Sequence, residues 1–317
     1  MRETSGRNSL RRVALLTAVI ITPLAVVIAQ LGSQAAPKSR SAAAPLPTQL
    51  GAYGGGCPAA YKPGTYGFIG LGQELTNNPF GEPAGPIASI LVVRSNGDGT
   101  LSVQRTDFAN GVLIVTPTVP GTYSVGDDCT VADTIPIPGT GALTGYGVIV
   151  QDGAEVDYMA TTEGVVVQNY VGRRMPNYCT NEVLQGAYGI TGTGTSLSTN
   201  SLGLPAGPMT TIGTLYFDGK GSFRKENEQA FINGSSFPIA SSTGSYSVSA
   251  DCRVTITATT DKLTAIGVVV DAGNSIAFIP TTPGALVANV VGKKVAEIST
   301  AQPYASTIAP ALDCARV

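Results

Sequence analysis

GSYSVSADC, residues 244–252, has a twin in the same 317-residue chain: GTYSVGDDC at 121–129, 123 positions earlier. In both copies Tyr and Val alternate with Ser, so they share one face of an extended strand, and the strand ends at an acidic residue followed by cysteine. The flanks repeat as well. Cys57 and Cys179 stand 122 apart, and nine residues after each comes Tyr66-Gly67-Phe68 or Tyr188-Gly189-Ile190. PAGP occurs at Pro83–Pro86 and Pro205–Pro208, and Asn110-Gly111 matches Asn233-Gly234. Beyond the GxYSV segment the offset falls to 120, pairing Gly147-Val148-Ile149-Val150 with Gly267-Val268-Val269-Val270 and Val171-Gly172-Arg173-Arg174 with Val291-Gly292-Lys293-Lys294. One unit of about 120 residues is written twice, the mark of gene duplication.

Within the first unit the pattern predicts strands near 65–71, 87–94, 100–106, 111–116, 121–126, 129–135, 145–151, 154–160 and 165–172. Asn-Gly, Asp-Gly and Pro-Gly at the joints supply the positive or fixed φ of hairpin turns. No window carries a 3.6-residue apolar period, and charged residues are only 13% of the chain. Strands joined by short turns pair with their neighbours, and a long meander closes to remove its unpaired edges. The expectation is all-β: two tandem antiparallel up-and-down eight-stranded barrels, with β-sandwiches as the alternative. Val148-Ile149-Val150, Val165-Val166-Val167 and Leu286-Val287-Ala288 do not alternate. Such runs are covered on both faces, by the other barrel or by a second copy of the chain.

The repeats divide the chain into 57–176 and 177–295, with a C-terminal extension at 296–317 that has no twin. Ahead of them lie residues 1–35, where Arg7, Arg11 and Arg12 precede an uncharged apolar run from Val13 to Ala29, and Ser33-Gln34-Ala35 offers a small-x-Ala cleavage site. This is the secretory pattern, although the run is close to the length of a retained membrane anchor. Residues 36–56 read as a flexible Ala/Pro/Gly-rich linker. The expected location is therefore secreted, or attached to the cell envelope. Without residues 1–35 the net charge moves from −2 to −5, and no basic cluster argues for nucleic acid.

Of the five cysteines, Cys57, Cys129, Cys179 and Cys252 occupy equivalent places in the two units. The simplest pairing is Cys57–Cys129 and Cys179–Cys252, each closing a loop that stabilises by roughly 4 kcal/mol in the chain-entropy model. Cys314 is left over, either free or half of an intermolecular bridge.

The chain has no histidine, which removes Ser-His-Asp triads, Cys-His pairs and imidazole metal sites; no metal or cofactor is expected. Glu155 and Asp157, at i and i+2, share a strand face about 7 Å apart, a spacing compatible with acid–base work on a glycoside. Their twins are Ser275 and Ala277, and a solvated edge strand is the plainer reading. Asp128 and Asp251, each before its cysteine, fit turn caps. The joints at 73–86 and 195–208 are long for this chain and carry Leu75, Phe80, Leu197, Leu202 and Leu204, candidates to gate a ligand at a barrel mouth or to plug it.

The pattern from Tyr66-Gly67-Phe68 through Gly121-Thr122-Tyr123-Ser124-Val125 to Asp128-Cys129, repeated from Tyr188 to Cys252, resembles a group of secreted bacterial proteins. Their unit begins with a cysteine and a GxYGF-like strand and carries GxYxV…DC. The resemblance covers about residues 57–295 and implies export and eight-stranded barrels of lipocalin or allene-oxide-cyclase shape; it brings no catalytic residues. The leading expectation is an exported non-enzymatic tandem barrel that binds a small apolar ligand or a cell-envelope component. A structural or adhesive module with solid barrels is the alternative, and a carboxylate-dependent hydrolase or isomerase a third.

Overall fold

A computed structural model of the chain describes residues 57, 63–75, 82–137, 141–197, 203–260 and 262–295. The expected signal, linker and C-terminal extension, together with Phe80, Leu202 and Cys314, lie outside the described residues.

The first unit contains β1 (Gly64–Glu74), β2 (Gly85–Ser95), β3 (Thr100–Ala109), β4 (Val112–Val115), β5 (Val119–Val125), β6 (Thr130–Ile137), β7 (Gly141–Val150), β8 (Glu155–Ala160) and β9 (Val166–Arg174). The second repeats it as β10 (Gln185–Ser196), β11 (Gly207–Asp218), β12 (Ser222–Ile232), β13 (Ser235–Ile239), β14 (Ser242–Val248), β15 (Arg253–Ala258), β16 (Thr264–Val270), β17 (Ser275–Pro280) and β18 (Leu286–Lys294). Every pairing is antiparallel, and β1–β9 and β10–β18 close the two sheets. Each unit is thus an up-and-down barrel, and both lie within one compact unit, Tyr53–Val317.

Nine segments make eight staves because one stave is broken. β3 pairs with β5 over Thr100–Val103 and with β4 over Thr106–Ala109. Between them Pro117 cannot donate to the ladder. Thr116 bridges the gap, its amide and hydroxyl both donating to the Arg105 carbonyl at 3.0 Å. The Asn110-Gly111 and Asn233-Gly234 turns have positive φ throughout, as a tight hairpin requires.

The changes of repeat offset have structural causes. Register between β11 and β12 slips between Ile212 and Thr214, where Asn227 takes φ 54 as the extra residue of a bulge, lengthening the second unit by one. The later loss falls in the β15–β16 hairpin, whose strands are shorter than β6 and β7.

Both expected disulfides are present, with Cα–Cα separations of 4.9 Å for Cys57–Cys129 and 5.0 Å for Cys179–Cys252. The carboxylate of Asp128 accepts the Thr130 amide (3.2 Å) and hydroxyl (2.7 Å), as a turn cap does. Asp251 instead accepts the Ser249 hydroxyl and pairs with Arg253 at 3.2 Å. At the same end of each barrel a tyrosine of the first strand donates to a turn carbonyl: Tyr66 to Gly153 at 3.1 Å and Tyr188 to Gly273 at 2.6 Å.

One apolar core joins the barrels. Ile69, Ala88, Ile90 and Phe108, on the outside of β1–β3, pack into the same cluster as Val268, Val270, Ile279 and Val287 from β16–β18. Gly67 lets the walls touch: a Cβ there would lie 2.8 Å from Val268 Cγ2 and 3.1 Å from Val270 Cγ1. Val268-Val269-Val270 and Leu286-Val287-Ala288 are therefore buried on both faces, inward by their own barrel's interior and outward by the other barrel. In the first unit the other barrel does not cover the corresponding runs. Val148 is 42% and Val167 63% exposed, because among the described residues nothing packs against them on the outside of β7–β9. Strand β8 is also not an edge, being paired to both β7 and β9.

Candidate functional site

Function can reside in the barrel interiors or on the barrel walls. The interiors are well filled. The cavity in the second barrel, walled by Ile190, Leu215, Phe223, Ile256 and Phe278, measures about 80 Å³. Two hollows in the first measure about 40 and about 50 Å³. A drug-sized ligand needs roughly 300–1,000 Å³.

The first barrel also buries a polar network. Continued alternation along β3 turns Leu101, Val103, Arg105, Asp107 and Ala109 inward, and all five are buried. Arg105 Nε donates to Asp107 at 2.8 Å, and its Nη2 reaches Glu82 Oε2 at 3.3 Å. A relay closes the other side: Tyr170 donates to Gln168 (2.6 Å), Gln168 to Ser89 (2.8 Å), and Ser89 to Asp107. Glu74, at the end of β1, is buried beside them, and desolvation pushes its carboxyl up to about 7; Arg105 opposes that rise and Asp107 reinforces it. Burial likewise pushes the Tyr170 hydroxyl up, with Arg105 opposing the rise and Asp107 adding to it. Duplication did not keep this network. The second barrel places Ser196, Glu228, Ala230 and Ala288 at the positions of Glu74, Arg105, Asp107 and Gln168, with a Lys225–Glu228 pair at 2.7 Å instead. Sequence reading missed the network, although charged residues at inward positions of an alternating strand were its signal.

Arg105, Asp107, Glu82, Ser89, Gln168 and Tyr170 hold one another rather than a reactant, while neither carboxylate oxygen of the buried Glu74 has a hydrogen-bond partner among the described residues. Among the described residues, no three acidic or cysteine side chains converge as a metal site would require. Of the loop candidates, Leu75 is exposed, Leu197 is half-buried against the shared core and Leu204 is half-buried; the structure does not bring them together around a cavity. Glu155 is taken up by Arg173 at 2.6 Å, and Asp157 stands exposed on the same wall.

The roomier hollows are outside. Against β10–β12 lies an open groove of about 450 Å³ that includes Thr191, Thr193, Thr210, Ile212 and Phe231. Beside the joint between the barrels a second groove, of about 350 Å³, includes Leu71, Val171, Arg173 and Val291. On the free wall of the first barrel, Tyr146, Val148, Met159, Val167 and Val171 are all exposed.

No family model and no curated sequence matches the chain. Among solved structures it is similar to a double mutant of the vaccine antigen Transferrin Binding Protein B from Haemophilus parasuis Hp5, at 10% identity over 73% of this chain and 75% of that one, with a TM-score of 0.29. Isotype 1 Transferrin binding protein B from serogroup B Neisseria meningitidis is similar at 8% identity, 74% and 76% coverage, and a TM-score of 0.24. Scores of this size carry no argument about what the chain does.

Proposed function

We propose that the chain is an exported, non-enzymatic tandem barrel that acts by holding a cell-envelope component against the outside of its walls. The observation that carries this reading is where the space lies: hollows of about 40 to 80 Å³ inside the barrels, against grooves of about 350 and 450 Å³ outside them. Filled barrels cross-linked by disulfides make rigid mounts for a surface, and disulfides suit an oxidising compartment. The Arg-flanked apolar run at 13–29 supplies the route out of the cell.

A small apolar ligand inside the second barrel is the other reading, favoured by the apolar lining of its cavity. It requires that cavity to widen several-fold. Native mass spectrometry of the secreted chain, before and after mild organic extraction, separates the two. A bare polypeptide mass is expected, together with co-sedimentation with isolated envelopes. A bound small molecule lost on extraction would overturn the outer-surface reading.

A further inference from the structure

The joint between the barrels uses only half of the docking surfaces that duplication created. Each barrel has a seat, the outside of its first three staves, and a plug, the outside of its last three. Within the chain the seat of the first barrel (Gly67, Ile69, Leu71, Ala88, Ile90, Phe108) holds the plug of the second (Val268, Val270, Ile279, Val287). Among the described residues, that leaves the second barrel's seat and the first barrel's plug uncovered.

Both uncovered surfaces keep part of the apolar set of their buried twins, although in the free plug Glu155 and Asp157 replace the buried Ser275 and Ala277. In the free plug Val148, Met159, Val167 and Val171 stand where the second barrel has Val268, Ile279, Val287 and Val291, and all four are exposed. In the free seat Ile212 and Phe231 stand where the first barrel has Ile90 and Phe108, and they are 60% and 51% exposed. The groove of about 450 Å³ lies against this seat, on the outer face whose twin in the first barrel is filled by the second. Gly189 gives an independent sign. It is the twin of Gly67, yet a Cβ at Gly189 would meet nothing nearer than Val295 at 3.9 Å. A strand-interior glycine costs roughly 0.5–1 kcal/mol against alanine and marks close approach by another chain. Among the described residues nothing comes nearer to it than Val295.

We infer that the first barrel's β7–β9 wall docks on the β10–β12 wall of a second copy of this chain, repeating the internal joint between molecules. This deepens the proposed function and rests on it: the envelope component held by these walls is the next copy. The contact is heterologous, so it propagates head to tail into a row or a closed ring. The free seat has diverged toward hydroxyls, with Thr191, Thr193, Thr210 and Thr214 replacing Ile69, Leu71, Ala88 and Val92. The intermolecular joint is consequently wetter and weaker than the internal one, and it comes apart on dilution.

The test is sedimentation velocity over a concentration series on the full secreted chain carrying Cys314→Ser, which removes any bridge through that thiol. Concentration-dependent association is expected. Val167→Asp spoils the plug and Ile212→Asp the seat; each alone weakens association at least about tenfold, since a charge buried in an apolar contact is uncompensated. An equimolar mixture of the two variants forms a dimer and stops there, each molecule contributing its intact surface. Both positions are exposed, so unchanged far-UV spectra and melting confirm folding. A chain that stays monomeric, variants that associate like the parent, or a mixture that does not pair would each overturn the inference. A monomeric parent that still binds isolated envelopes, and loses that binding on Val167→Asp, would overturn the second copy while leaving the proposed function standing.

Discussion

Replacing Glu74 by glutamine tests the buried network through its pH dependence. The Glu74 carboxyl is 1% exposed, and desolvation carries it from its ordinary 4.5 to about 7, so the folded chain binds its proton more tightly than the unfolded chain does. The folded value lies above the unfolded one. Its contribution is therefore fully present below about pH 4.5 and is lost as pH rises through about 7. The shift corresponds to about 3 kcal/mol across that window, at ~1.4 kcal/mol per unit. Glutamine has the shape of the protonated acid and never ionises. Glu74→Gln should match the parent near pH 4.5 and exceed it by about 3 kcal/mol near pH 8. Urea unfolding followed by far-UV circular dichroism at the two pH values measures this. The exposed carboxylates held low by turn hydrogen bonds, Asp98, Asp128 and Asp218, work in the opposite direction but are common to both proteins and cancel in the difference. A variant-minus-parent difference that is flat with pH, or a variant weaker than the parent near pH 8, would refute the reasoning. Either result would mean that Glu74 is ionised and held by Arg105.

Two further substitutions probe the other structural arguments. Gly67→Val drives methyl groups into Val268 and Val270 across the joint and should cost about 2–3 kcal/mol, whereas Gly189→Val, with open space beside it, should leave stability unchanged or raise it by up to about 1 kcal/mol; parallel thermal melts compare the pair. Arg105→Leu leaves Asp107 and Glu82 buried without their cation and should cost about 3–5 kcal/mol at neutral pH, shrinking as acid protonates the carboxyls; a loss below about 1 kcal/mol would mean that the cluster is wetter than its geometry implies.

Strand positions were legible because two independent signals agree at each joint. Asn110-Gly111 and Asn233-Gly234 mark turns by backbone chemistry, and the repeat marks the same places a second time. All nine expected strands of the first unit are found, and the disulfides follow from the same symmetry. What a wall faces was only half legible. Val148 and Val268 occupy the same place in the same pattern, and one is exposed while the other is buried. Alternation reports which face is apolar and says nothing of whether a partner stands before it. The network around Arg105 escaped for a related reason. Read singly, Arg105 and Asp107 look like solvated charges; only the inward phase set by Leu101 and Val103 puts them inside.

Duplication explains both the economy and the imbalance of this architecture. Copying one barrel copies both sides of any self-complementary wall pair, so a tandem of two satisfies one joint and exposes the two unused halves. Selection for solubility would erode both halves to polar residues at similar rates. The erosion is partial on both instead: the free seat carries four threonines yet keeps Ile212, Phe231 and Gly189, while the free plug carries Glu155 and Asp157 in place of Ser275 and Ala277 yet stays apolar at Val148, Met159, Val167 and Val171. The threonines at the places of Ile69, Leu71 and Val92 replace methyl surface by a hydroxyl without filling the space beside Gly189, so the seat loses adhesion and keeps its shape. A surface under no constraint has no reason to preserve its contour while its chemistry softens. A joint that must form between molecules and also release them has that reason.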